Sequence, residues 1–158
     1  MAKQNTLLNT VSYLALLGTL VSIYLVYAHY SDHADPFCNL GEFANCDKVN
    51  KSIYAEIFGI PVALLGVLAY SFIAFVSRLL IKKFDFTVFY KKLTPQLVKK
   101  LLLLFVMAST LFTLWLTYVE LYILFSICIY CVFQQIILLI ILLLMYLIVK
   151  NKQPTKII

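Results

Sequence analysis

Residues 101–149 read LLLLFVMASTLFTLWLTYVELYIL (101–124), FS (125–126) and ICIYCVFQQIILLIILLLMYLIV (127–149). A helix that crosses a hydrocarbon core of ~30 Å needs about 20 mainly apolar residues at ~1.5 Å each. Leu101–Leu124 and Ile127–Val149 both reach that length, and the tight turn at Phe125–Ser126 sends the second run back beside the first. Working outward along the chain, Leu7–Ala28 and Ile60–Ile81 meet the same test. The four runs predict an all-α, polytopic membrane protein: a single domain over residues 1–158, built as a four-helix bundle. One loop, 29–59, would join the first two spans, and a second, 82–100, would join the middle two.

Composition agrees with this. Apolar residues make up 63 % of the 158 and charged residues 13 %, against ~45–50 % and ~25 % in soluble domains. A sphere of this size cannot hide so much apolar surface inside itself, so the solvent for most of it is lipid. The sparse charge excludes a disordered chain, and four Gly and four Pro exclude a collagenous or low-complexity one. The net charge of +6 would suggest nucleic acid on a soluble body, but the placement of the charges argues otherwise. Lys3 precedes the first span. Arg78, Lys82, Lys83, Lys91, Lys92, Lys99 and Lys100 flank or fill the 82–100 loop, and Lys150, Lys152 and Lys156 follow the fourth span. By the positive-inside rule both termini and that loop face the cytoplasm, in a cell (inner or plasma) membrane. Loop 29–59 and the turn at 125–126 then face outward. Asp32, Asp35, Glu42, Asp47 and Glu56 against Lys48 and Lys51 make the outer loop acidic. The basic charge is therefore a topology signal, and no nucleic acid partner is expected. The 82–100 loop, broken by Pro95, reads as a solvated connector. The first span is too long for a signal-peptide core, and His29, Tyr30 and Asp32 leave no small-residue cleavage site after it, so it is expected to be retained.

All four cysteines fall on or near the outer side. Cys38 and Cys46 lie in the loop, and Cys128-Ile129-Tyr130-Cys131 opens the fourth span. An even count on the oxidising side argues for disulfide chemistry. Two static bridges stapling a loop are one reading. A C-x-x-C pair on one helical face fits it poorly, because so small a ring constrains little chain. At a helix N-terminus the backbone dipole favours a thiolate instead. Half of a zinc site is a further alternative, disfavoured by the wrong spacing of the second pair and by the lack of a ligand pattern at His29 and His33. Two dithiol pairs on one surface permit a relay by thiol–disulfide exchange. Cys131, about one turn inside the bilayer boundary, suits a lipid-soluble acceptor. A quinone takes two electrons and two protons, which matches one dithiol.

The run from Cys38 to Ser52 (CNLGEFANCDKVNKS) resembles the loop of the vitamin K epoxide reductase family, C-x7-C-x2-V-x2-S. Phe58-Gly59-Ile60-Pro61-Val62-Ala63-Leu64-Leu65-Gly66 resembles the start of the second helix in its prokaryotic members, and Cys128–Cys131 at the head of helix four completes a likeness covering nearly the whole chain. The resemblance implies a four-helix bundle around a quinone (ubiquinone or menaquinone), in which Cys38 exchanges with a thiol partner, Cys46 exchanges with Cys128, and Cys131 faces the quinone. It also implies quinone-binding positions. Ser52, Tyr54 and Phe58 match the loop that covers the pocket, and Leu116, Glu120 and Leu124 match the third helix that lines it. Ala55 and Gln135 stand where vertebrate members carry a hydrogen-bonding Asn and Tyr, a departure that favours a simple quinone over vitamin K epoxide. Many prokaryotic relatives carry a fused thioredoxin-like domain. This sequence has none, so a separate thioredoxin-like dithiol protein on the outer side is the expected partner.

Two further features bear on the site. Val49, Ile53 and Ile57 recur at helical spacing and, with Asn45 or Asp47 as a cap, predict a short helix on the membrane surface that roofs the pocket. Glu120 is the only acid well inside a span. An intramembrane carboxyl is costly and is a functional candidate by default, here for proton transfer with the quinone. The alternative for it is an interfacial side chain reaching headgroups or Tyr118. The expected activity is thus a membrane thiol:quinone oxidoreductase that generates disulfides. The alternatives are a reductase of quinone or vitamin K epoxide and a non-catalytic scaffold with structural disulfides. The other four-helix disulfide-generating family has its cysteine pairs in the opposite order.

Overall fold

A computed structural model of the chain describes residues 2–31, 38, 39, 41, 43–84 and 94–151. The expectations placed on Asp32, His33, Asp35, Glu42, Lys91, Lys92, Lys152 and Lys156, and on the side chain of Lys3, lie outside these residues.

Four long helices, α1 (Ala2–Tyr30), α3 (Val62–Ile81), α4 (Pro95–Tyr122) and α5 (Ile129–Lys150), are each long and apolar enough to cross a membrane. Between α1 and α3 lie the short helix α2 (Cys46–Asn50), a 3-10 turn at Ile53–Ala55, and an antiparallel hairpin of β1 (Glu56–Ile57) with β2 (Ile60–Pro61). No span buries more than a third of its residues inside the protein. Leu20, Phe75, Leu111 and Leu143 instead point outward, where only lipid makes their exposure favourable. The protein is a four-helix multi-pass membrane protein.

Hydropathy located the spans but not their ends. The 82–100 connector stops at Thr94, whose side chain accepts the Leu97 N–H at 3.3 Å, and Pro95 occupies the first turn of α4. Proline starts this helix and does not break the loop, because a first-turn residue has no intrahelical use for its N–H. Ile60 and Pro61 belong to the hairpin, so α3 begins at Val62. Ile127 lies in an isolated parallel bridge with Ala44, so α5 begins only at Ile129, with Cys128 as its N-cap. The single roof helix expected through Val49, Ile53 and Ile57 is not formed. Ser52 is extended and turns its Oγ back onto Val49 O at 2.8 Å, which ends α2. Val49 is buried, whereas Ile53 is 83 % exposed, so the two do not share a face.

The helices pack unequally. α1 lies along α3, and α5 packs on both α1 and α4. A side chain at Gly18 would meet the Tyr70 ring at 2.6 Å, so glycine is what lets α1 and α3 close. The Tyr70 hydroxyl then donates to Gln134 O at 2.8 Å and ties α3 to α5. Leu8, Val11, Ile73, Val106, Ile141 and Met145 fill the bundle at the end away from the cysteines. α3 and α4 touch little, with Phe72 and Phe105 in an edge-to-face contact at 5.1 Å. Between them, on the cysteine side of that contact, the bundle is hollow.

Candidate functional site

Local hydrogen bonds bring the cysteines together. The Asn45 side chain caps α2 by accepting the Lys48 N–H at 2.9 Å, which sets Cys46 at the start of that helix. Asn39 Nδ2 donates to the Asp47 carboxylate, and Asp47 N donates to Asn39 Oδ1 at 3.4 Å. The segment carrying Cys38 is thereby held against the first turn of α2, and Cys38 and Cys46 form a disulfide with their Cα atoms 5.6 Å apart. A second fastening comes from the turn between α4 and α5. Ile127 N donates to Phe43 O at 2.7 Å, and Asn45 N donates to Ile127 O at 3.2 Å. Cys46 and Cys128 directly follow the residues so joined.

The sulfurs of Cys38, Cys46 and Cys128 consequently lie within 4.8 Å of one another, all three buried. Three sulfurs so close would also suit a soft metal, but metals bind thiolates. The Cys38–Cys46 bond leaves Cys128 as the one sulfur in the group free to act as a thiolate. The arrangement is that of a thiol beside a disulfide it can attack. Cys128 Sγ accepts the Cys131 N–H at 3.3 Å at the head of α5. Cys131 is also a free thiol, and it faces elsewhere, into the wall of the cavity.

That cavity has a volume of about 850 Å³ and lies between α3, α4 and α5 under the α2–hairpin segment. Of the positions expected to bind a quinone, Ser52, Tyr54, Leu116, Glu120, Leu124 and Gln135 all line it. Phe58 does not. It sits at the hairpin tip with φ 53°, fully exposed, because the turn between β1 and β2 throws its side chain outward. Ala55 lines the cavity as well. The walls are largely apolar, with Leu65, Phe72, Phe112 and Leu138 among them, and carry few polar groups. Gln135 is 8 % exposed, and neither atom of its amide has a hydrogen-bond partner among the described residues. The Glu120 side chain is 5 % exposed, and Tyr118 stacks on Tyr122 at 4.9 Å. Its carboxylate turns inward and accepts the Cys128 N–H at 3.2 Å.

Several residues of the site went unread in the sequence. Asn50 closes the roof by donating from Nδ2 to Leu25 O at 2.9 Å. His29 holds both ends of the roof, with Nδ1 at 2.6 Å from Asn50 O and Nε2 at 3.2 Å from Glu56 Oε1. Both ring nitrogens are thus engaged in latching the loop to α1. Gln134 donates to Ser22 Oγ at 3.0 Å at the cavity edge. The legible signal was polarity in an apolar setting: Gln134 beside Gln135 within α5, and Asn50 beside Val49.

A family model described as the vitamin K epoxide reductase family matches residues 10–146. No match is found among curated proteins. A match over most of the chain, together with four spanning helices and a loop disulfide set against a helix-four C-x-x-C, assigns the protein: it belongs to the vitamin K epoxide reductase family.

Proposed function

We propose that this protein is a thiol:quinone oxidoreductase that oxidises a thioredoxin-like dithiol protein outside the membrane and passes the electrons to a quinone held in the cavity. Family membership makes the chain an oxidoreductase of the quinone-linked thiol or epoxide class. The observation that carries the finer reading is the placement of the C-x-x-C pair: Cys128 faces the Cys38–Cys46 disulfide, while Cys131, one turn away, faces the cavity.

The chemistry follows in balanced steps. A partner thiolate attacks the Cys38–Cys46 disulfide, and the partner's second thiol resolves the mixed disulfide, leaving the partner oxidised and the loop pair reduced. Cys46 then attacks Cys128 in a Cys128–Cys131 disulfide, with Cys131 as leaving thiolate. Cys38 attacks Cys46 in turn and frees Cys128. The products are a loop disulfide and a helix dithiol, the redox state of the structure described here. A quinone supplies the sink for the two electrons and two protons of that dithiol. The apolar cavity fits an isoprenoid quinone, and the unpartnered Gln135 amide fits a ring carbonyl. Positive charge supports the orientation, since Arg78, Lys82, Lys83, Lys99, Lys100 and Lys150 lie toward the ends of the spans away from the cysteines, which turns the cysteine end outward.

The test is an anaerobic assay of purified protein with a reduced thioredoxin-like protein and ubiquinone or menaquinone analogues. Cys131→Ala abolishes quinone reduction. Cys38→Ala blocks oxidation of the protein partner but spares reduction by a small membrane-permeable dithiol. Retained partner oxidation in both variants refutes the relay.

A further inference from the structure

The transfer of electrons through four sulfurs leaves one buried group of the site without a task. Glu120 lies in the spanning part of α4 and is 5 % exposed. Its Oε2 accepts the Cys128 backbone N–H at 3.2 Å, its backbone carbonyl accepts Ser126 N at 3.0 Å, and its carboxyl group lies beside the Cys131 thiol. It shares the cavity wall with Cys131. A neutral Gln would accept the Cys128 N–H equally well, so that bond does not by itself account for a carboxyl at this depth. The contact with Cys131 does. A carboxylate accepts and a thiol donates, so a carboxylate beside Cys131 is placed to take the thiol's proton.

We propose that Glu120 is the general base for Cys131 and passes that proton into the cavity when the Cys128/Cys131 dithiol is oxidised. The inference rests on the quinone reduction proposed above. Two S–H bonds break and one S–S bond forms, releasing two electrons and two protons. The quinone gains two electrons and two O–H bonds. Glu120 carries the proton of Cys131. Cys128 releases its proton to water, and the hydroquinone draws its second proton from water. Among the described residues, the titratable side chains beside Glu120 or sharing its cavity are Cys128 and Cys131 at the head of α5, Tyr54 on the roof and Tyr70 from α3.

The experiment uses pre-reduced full-length protein in lipid nanodiscs, mixed anaerobically with a short-chain quinone from mildly acidic to alkaline pH. Hydroquinone is followed optically and the Cys128–Cys131 disulfide by peptide mass. Glu120→Gln keeps an acceptor for Cys128 N–H but cannot hold the proton. Its rate is expected to fall about 10²-fold at neutral pH, the usual worth of a general base, and to climb back as rising pH ionises the thiol directly. Added formate is expected to restore part of the rate in Glu120→Ala. Thermal unfolding and loop-disulfide content report whether each variant is folded. Should Glu120→Gln fail to fold, Glu120→Asp keeps a base at shorter reach and is expected to be slower with the wild-type pH profile. A Glu120→Gln variant with the wild-type rate and profile overturns the proposal, as does a loss uniform across pH with no rescue by formate. Wild-type protein that reduces no quinone overturns the proposed function and this inference together, so the two failures are distinguishable.

Discussion

At the scale of single residues, the two cysteines of the C-x-x-C motif differ in what they face, and so in what their loss does. Cys128 lies beside the loop disulfide, and Cys131 resolves toward the cavity. Cys131→Ala is therefore expected to accumulate a mixed disulfide between Cys128 and Cys46, identifiable by peptide mapping under non-reducing conditions. Gln135 gives a prediction of opposite signs. Both polar atoms of its amide are buried without a partner among the described residues, which costs about 1–3 kcal/mol in the absence of a ligand. Gln135→Leu is expected to raise the Tm of the quinone-free protein. If the amide bonds a quinone carbonyl, worth about 0.5–1.5 kcal/mol, the same change raises the KM for quinone by about 2- to 12-fold. A lowered Tm with unchanged KM would show that the amide serves packing alone. The sequence presented all four cysteines and Glu120 as candidates, since each is chemically conspicuous where it stands. It did not present the Cys128–Glu120 bond, because nothing in a spacing of eight residues across a turn says that the carboxylate folds back onto the backbone N–H.

At the scale of elements, the roof is a set of short pieces held to α1. Asn50 Nδ2 bonds Leu25 O, His29 bonds Asn50 O and Glu56, and Lys51 Nζ donates to Ser31 O at 2.6 Å. The roof lines the cavity, and its helix α2 carries Cys46 of the buried loop disulfide. Asn50→Ala removes a buried donor and leaves Leu25 O with one bond fewer, a cost of about 1–3 kcal/mol. The expected outcome is faster hydrogen exchange over residues 46–61 and faster reduction of the Cys38–Cys46 disulfide by a bulky phosphine, with the four spanning helices unchanged. Unaltered exchange in the roof would place the latching elsewhere. The apolar spacing of Val49, Ile53 and Ile57 misread this segment because Ser52 offers the backbone a competing hydrogen bond, and one such bond ends a helix this short. Pro95 misled in the other direction, since the residue that ends a helix from inside can begin one at its first turn.

At the scale of the whole molecule, closure of α1 on α3 at Gly18 and looseness between α3 and α4 belong to one design, a tight half that orders the bundle and an open half that holds the cavity. Gly18→Val forces its side chain against Tyr70 and is expected to cost about 1–3 kcal/mol, the range for overpacking a filled site. The check is a lower Tm in detergent, with quinone reduction lost in parallel as α3 and its cavity residues shift. The sequence by itself determined that the chain lives in lipid, that it crosses four times, and that its cysteines share one end. Each of these follows from local composition: runs of apolar residues choose lipid over water, and their number and order set which segments share an end. Only the tertiary structure decided which sulfurs touch, that Glu120 turns inward, that Phe58 stays outside, and that a cavity opens between α3 and α4. Those facts depend on residues distant in the chain, such as Asn45 with Ile127 and Leu25 with Asn50, whose contact is set by how helices pack and not by the character of either residue alone.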